Sequence, residues 1–189
     1  MITKIKSAQH LNELELNKLL KYLLQNQLWA YYILVRLGVS TALRFRDLSS
    51  LNWEDVLHRK KIIITESKTN KTREIPVGAN LQKVLLEIYS RMEKPKLSNR
   101  VIPLQIRTVN KQIKIYASKA GIKGKRISTH TFRKTFGREV WRRHNFSEES
   151  LIKLSLLFNH SSTSVTRVYL DITKMEVNEL YEIDDLFSY

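Results

Sequence analysis

The sequence predicts a mainly helical α+β fold with one small antiparallel β-sheet. Apolar residues recur at helical spacing through most of the chain, while β-branched residues concentrate between positions 56 and 77. The 189 residues suffice for one sizeable core rather than two comfortable ones, so a single domain is the expectation.

Each element follows in order. Leu11, Leu14, Leu16, Leu19, Leu20, Leu23 and Leu24 give a first helix over residues 11–24, and residues 27–36 give a second. Ser40 and Thr41 are expected to cap a third helix running to Leu48 or Leu51, with Leu43, Leu48 and Leu51 inward. There Arg44 and Asp47 would stand one turn apart, an offset suited to an ion pair. Residues 56–57, 61–65 and 73–77 read as strands, the last stopped by Pro76 and Gly78. The polar, basic connection 67–72 should protrude as a hairpin tip, and it carries Lys68.

Leu81, Val84, Leu85 and Ile88 mark a helix ending near Lys94 and Pro95. Residues 96–106 read as a loop with an extended piece at 101–103, and helical pattern returns over 108–120 until Gly121. Ser147 is expected to cap a helix with Glu148 and Glu149 in its first turn and Leu151, Leu154, Leu157 and Phe158 on its apolar face. That helix should end at Asn159, a residue tolerant of left-handed backbone angles. A turn at Ser161 and Ser162 then leads to Tyr169. The tail, 174–189, is acidic and amphipathic, and reads as a segment that docks onto protein.

Lys and Arg number 33 against 18 Asp and Glu, a formal charge of +15 that points to a polyanionic partner, nucleic acid first. The densest basic stretch is 107–143. Its Arg107, Lys125, Arg126 and Lys134, with Lys71 and Arg73 of the hairpin, are the candidate DNA-contacting residues. There is no cysteine, and the five histidines form no HxxxH-like pair, which disfavours a metal-dependent nuclease. No secretory signal opens the chain and no apolar stretch has the roughly 20 residues of a bilayer span, so a cytoplasmic location is expected.

Several side chains suit metal-free phosphodiester chemistry. His130 and Arg133 are three apart, and a helix opening at Thr129 or Thr131 would set both on one face near its positive end. The bland reading is a capping histidine beside a solvated arginine. Arg44, between apolar Leu43 and Phe45, is either half of a structural salt bridge with Asp47 or a guanidinium that Asp47 aims at phosphate oxygens. Tyr169 lies nine residues beyond His160, and a phenol needs cationic neighbours or a base before it attacks phosphorus.

Four segments carry a resemblance. These are Thr41-Ala42-Leu43-Arg44-Phe45-Arg46-Asp47-Leu48, the hairpin Ser67-Lys68-Thr69 before Arg73-Glu74-Ile75-Pro76-Val77, His130-Thr131-Phe132-Arg133-Lys134-Thr135, and Phe158-Asn159-His160-Ser161-Ser162 through Tyr169. In this order the chain resembles the catalytic domain of the tyrosine recombinase (phage integrase) family. The resemblance implies that Tyr169 attacks the scissile phosphate, Arg44 and Arg133 hold its oxygens, and His130 assists proton transfer at the tyrosine. His160 would bond the phosphate and Lys68 would protonate the leaving oxygen.

It further implies double-stranded DNA as substrate, no cofactor or metal, a homotetramer on DNA and accessory DNA-bending proteins as partners. Residues 1–173 would form the catalytic domain and 174–189 a tail helix docking in trans. Ala42 and Asn159 stand where the family more often has glycine, Asp47 where glutamate is commoner, and Lys134 where histidine is frequent. Few residues precede Arg44, so the chain is expected to be a catalytic domain alone. The short recombinases that invert fimbrial promoter segments look similar, as would an excised part of a longer integrase. A non-catalytic DNA-binding regulator and a type IB topoisomerase are the rival functions.

Overall fold

The computed structural model describes residues 7–68 and 70–172, and the expected tail helix at 174–189 lies outside them. The chain forms two compact units, one ending at Phe136 and the other starting at Gly137.

In the first unit, helix α1 (Glu13–Gln25) starts where Asn12 and Glu15 cap each other. The Glu15 N–H donates to Asn12 Oδ1 at 2.9 Å, and the Asn12 N–H donates to Glu15 Oε2 at 2.8 Å. Helix α2 (Trp29–Thr41) is apolar nearly all round and is buried on most sides, as such a helix must be. It ends at Ala42, whose φ of 55° and ψ of 19° are left-handed. The helix start expected at Ser40 and Thr41 is therefore this helix's end, where the Thr41 hydroxyl donates to the Leu37 carbonyl at 2.7 Å. Helix α3 (Phe45–Leu48) follows the turn. Four residues cannot hold a helix on their own, so burial of Phe45 and Leu48 fixes it.

Residues 56–57 are not a strand. Val56 closes helix α4 (Trp53–Val56), opened by Asn52, whose N–H donates to Asp55 Oδ2 at 2.8 Å. This capping outweighs the β-preference of one valine. Strands β1 (Lys61–Thr65) and β2 (Thr72–Pro76) pair antiparallel, with Ile62 opposite Ile75 and Thr65 opposite Thr72. A lone hairpin is marginal in water, and burial of Ile62, Ile64, Ile75 and Val77 supplies what this one lacks. Helix α5 (Ala79–Arg91) packs on α2, and helix α6 (Ile106–Lys119) packs on α1. Between them Arg100 forms an isolated antiparallel bridge with Asn52 and the Val101 N–H donates to the Leu51 carbonyl at 3.0 Å, while residues 101 and 102 are bends rather than the extended piece expected there. Gly38 of α2 lies so close to Phe132 that an added Cβ would come within 2.8 Å of the phenylalanine Cβ.

Residues 7–12 are tied along the segment that leads into helix α7 (Thr129–Arg143). The Gln9 N–H donates to the Arg126 carbonyl at 2.9 Å, Arg126 Nε donates to the Ser7 carbonyl at 2.9 Å, and the Leu11 N–H donates to Thr135 Oγ1 at 2.9 Å.

The second unit takes the rest of α7, helix α8 (Glu148–Phe158) and helix α9 (Thr163–Tyr169). Trp141, Leu151, Leu154, Phe158 and Leu170 are buried. Gly137 permits the close packing of this core, since a Cβ there would lie 2.8 Å from Leu170 Cδ2 and 2.9 Å from Phe158 Cζ. The Ser147 hydroxyl caps α8, and Asn159 ends it at φ 53° and ψ 51°, the left-handed turn expected of it. No helix among the described residues is long and apolar enough to cross a membrane.

Candidate active site

In the first unit Arg44, His130 and Arg133 line one pocket of about 170 Å³, floored by Leu43 and Phe45. Helix α7 opens at Thr129, so His130 and Arg133 share a face as their spacing requires. Its first-turn donors are satisfied locally. The His130 N–H donates to Ser128 Oγ at 3.2 Å, and the Thr129 N–H donates to Asn110 Oδ1 at 3.0 Å. Arg133 is only 3% exposed, and its Nη1 donates to the carbonyl of Ala42, the residue in left-handed conformation. That turn presents a carbonyl to one guanidinium and, two residues on, supplies the other.

The expected pairing of Arg44 with Asp47 is corrected. Arg44 sits in extended conformation at the N-cap of α3, ahead of the helix, so the two do not share a helical face. Its Nη1 donates instead to Glu66 Oε2 at 3.2 Å, while Asp47 Oδ1 accepts from the Ser67 N–H at 2.9 Å and from its hydroxyl at 2.8 Å. Arg46 also lines the pocket, a third guanidinium there that sequence reasoning passed over. Its only signal was its place between Arg44 and Asp47. Glu66 was missed because a glutamate after a β-branched run looks like any solvated strand end.

Lys68 is exposed in the turn between β1 and β2. Protein crowding the ring of His130 pushes its pKa below 6.5, and the charges of Arg133, Arg44, Lys134 and Lys68 push the same way. The imidazole is therefore neutral at pH 7, although its edge reaches solvent.

The six candidate DNA-contacting residues divide. Arg107 and Lys71 are exposed. Arg73 pairs with Glu66 at 2.6 Å. Lys125 pairs with Glu15 at 2.5 Å and bonds the His10 carbonyl, and Arg126 bonds residues 7 and 9, so both hold the amino-terminal segment. Lys134 is 2% exposed, with its ammonium 3.3 Å from Ser7 Oγ. Buried on α7, it offers no surface cation, and its charge acts through the field at His130.

In the second unit His160 follows the left-handed Asn159, and Tyr169 ends α9. The His160 and Tyr169 rings meet edge to face with centroids 5.2 Å apart, and Phe158 packs against both at 5.3 and 5.4 Å. His160 Nδ1 and Thr166 Oγ1 lie 2.9 Å apart, which sets the plane of the imidazole. The tyrosine hydroxyl oxygen is shielded from solvent. Thus the structure gathers Arg44, His130 and Arg133 within one unit, and His160 with Tyr169 within the other.

Comparison with known proteins bears on the family and the fold. The family model described as "Phage integrase family" matches residues 9–176. The chain is 28% identical over 187 residues to the probable integrase/recombinase YoeC of Bacillus subtilis, covering 97% of each. It is 27% identical over 158 residues to the tyrosine recombinase XerC of Caldanaerobacter subterraneus, covering 78% of this chain and 43% of that protein. The chain thus spans about half the length of the XerC and XerD relatives. Among solved structures, that of XerA recombinase superposes with a TM-score of 0.68 at 23% identity, over 91% of this chain and 63% of that one. A lambda integrase tetramer bound to a Holliday junction gives 0.66 at 18% identity, over 91% and 51%. At these identities the likeness is one of fold. The match to the family model runs over nearly the whole chain, and the protein belongs to the phage integrase family.

Proposed function

We propose that this chain cuts and rejoins double-stranded DNA at specific sites through a 3'-phosphotyrosine at Tyr169. The observation that carries the reading is the pocket where Arg44, His130 and Arg133 converge, in a chain whose other unit holds Tyr169 against His160. The Tyr169 oxygen forms a bond to phosphorus as the bond to the 5' oxygen breaks. Neutral His130 accepts the phenolic proton and Lys68 gives one to the departing 5' oxygen. Arg44 and Arg133 stabilise the charge gathering on the non-bridging oxygens, and His160 hydrogen-bonds the phosphate. A 5'-hydroxyl from another strand reverses the step, which needs neither ATP nor metal.

DNA approaches over exposed cations such as Lys71 and Arg107. Assembly as a homotetramer on DNA, with accessory DNA-bending proteins and with the 174–189 tail docking in trans, belongs to the same proposal, as does a cytoplasmic place of work.

Trapping tests it. A randomised duplex library bearing nicks is incubated with the protein and resolved on a denaturing gel. A covalent adduct that vanishes in Tyr169→Phe is expected. No adduct, or one that persists in Tyr169→Phe, defeats the enzyme reading in favour of a DNA-binding regulator. Relaxation of any supercoiled plasmid without recombinant product would favour a topoisomerase.

A further inference from the structure

Arg44 and Lys68 come from different elements, α3's cap and the β1–β2 turn, yet both must reach one phosphodiester if the proposed function holds. Reciprocal bonds at the hairpin base join those elements. Glu66, 2% exposed, accepts from Arg44 at 3.2 Å through Oε2 and from Arg73 at 2.6 Å through Oε1. Its neighbour Ser67 gives two hydrogen bonds to Asp47 on α3, at 2.9 and 2.8 Å. The hairpin thus grips a cation from the α3 segment, and α3 grips donors from the hairpin.

The backbone of Glu66 also shapes the turn that holds Lys68. Its N–H donates to the Lys71 carbonyl at 2.9 Å and its carbonyl accepts from the Asn70 N–H at 2.9 Å, closing the chain on both sides of the lysine. One residue therefore fixes the guanidinium by its side chain, and the same two ion pairs anchor the main chain that closes the ammonium-bearing turn, so that loosening the side chain loosens both. A carboxylate so deeply buried is costly unless cations flank it, and two do. Were its role merely to neutralise them, a single bond to Arg73 would suffice and the clasp at Ser67 would have no purpose.

We propose that Glu66 is a positioning residue that sets Arg44 and Lys68 in register across one phosphodiester. The inference rests on the proposed function, and its test separates the two. The full chain is assayed on a duplex selected from the randomised library by covalent capture with the wild-type protein. Failure of that capture counts against the proposed function, not against Glu66.

Single-turnover cleavage is then measured on this duplex and on its 5'-bridging phosphorothiolate, whose sulfur leaves without needing a proton. Glu66→Gln is expected to slow phosphodiester cleavage by about tenfold to a hundredfold, the scale of misplacing a reacting group by about an ångström. Affinity by gel shift should change by less than about threefold, and the cleavage deficit should shrink severalfold on the sulfur substrate. Equal slowing on both substrates, slowing that disappears after correction for folded fraction, or rates within about twofold of wild type on both would overturn the proposal. Ser67→Ala guards against a Glu66→Gln that does not fold. The same substrate-dependent pattern at smaller size is expected of it, and wild-type rates on both substrates would overturn the proposal equally.

Discussion

The two units hold their reactive groups by different physics. In the first, each arginine is oriented by an oxygen partner, Glu66 for Arg44 and the Ala42 carbonyl for Arg133. In the second, the rings of His160 and Tyr169 pack against each other and against Phe158, and Thr166 Oγ1 lies 2.9 Å from the imidazole Nδ1. The difference follows from the side chains. A guanidinium is always charged and needs directional acceptors when buried, whereas imidazole and phenol carry apolar faces that can be seated by contact. The guanidinium groups are placed by directional bonds, and the rings of His160 and Tyr169 also by the faces they share.

The sharpest way to break this division is to remove a guanidinium. Arg44→Ala or Arg133→Ala should lower single-turnover cleavage by on the order of a hundredfold or more, since such donors contribute about 3 to 4 kcal/mol at a transition state. Adduct formation timed on denaturing gels measures it, and rates within about tenfold of wild type would mean that neither group meets developing charge.

Next come two glycines, one in each unit. Gly38→Ala forces a methyl onto the Phe132 Cβ, which cannot swing aside, and should destabilise the first unit by about 1 to 3 kcal/mol. Gly137→Ala presses on the Phe158 ring and so on His160 and Tyr169. Cleavage should fall in Gly137→Ala by more than its thermal stability predicts. Hydrogen exchange should show the Gly38→Ala loosening before Gly137 and the Gly137→Ala loosening after it. Identical exchange patterns for the two would erase the distinction.

A smaller effect concerns pH. His130 has a folded pKa below its ordinary 6.5, so the folded protein binds fewer protons at this site and its stability declines as pH falls through 6.5 toward that lower value. Cleavage that depends on the neutral ring should persist below pH 6.5 before it drops. Imidazole NMR titration reads the group directly. Lys68→Met should move its midpoint upward, because one of the depressing charges is gone. A midpoint above 6.5 would refute the assignment.

The smallest effect belongs to the second unit. Arg142, then Arg143, hold the Glu139 carboxyl down at about 2. Its contribution is present above about 4.5 and disappears as pH falls toward 2. Melting curves of wild type and Glu139→Gln should therefore differ slightly at neutral pH and converge in acid. Parallel curves throughout would show that these surface pairs are inert.

Periodic apolar residues revealed α1, α5, α6 and α8, because burial on one face dictates their spacing, and α2 was legible as an apolar run buried on most sides. The strands at 61–65 and 72–76 were legible from β-branched runs, and Asn159 announced the turn before His160. What escaped was local capping and long-range pairing. Ala42 breaks the chain direction where serine and threonine suggested a beginning, and Asn52 with Asp55 winds Val56 into a helix. The exchange of carboxylates, Glu66 for Arg44 and Asp47 for Ser67, joins positions about twenty residues apart, and no helical spacing encodes it. The burial of Lys134 was equally hidden, since a lysine amid basic neighbours reads as surface until tertiary structure closes over it.

The tether formed by residues 7–12 carries a mechanical consequence. Leu11 is fastened at Thr135, two positions past Arg133, and Ser7 is fastened to Arg126, just upstream of the helix that bears His130. The amino-terminal segment is thus joined by direct hydrogen bonds to the opening turns of that helix and to the residues just before it. Whatever seizes residues 7–12 therefore holds a rein on the helix that carries His130 and Arg133, the groups proposed to meet the phosphate.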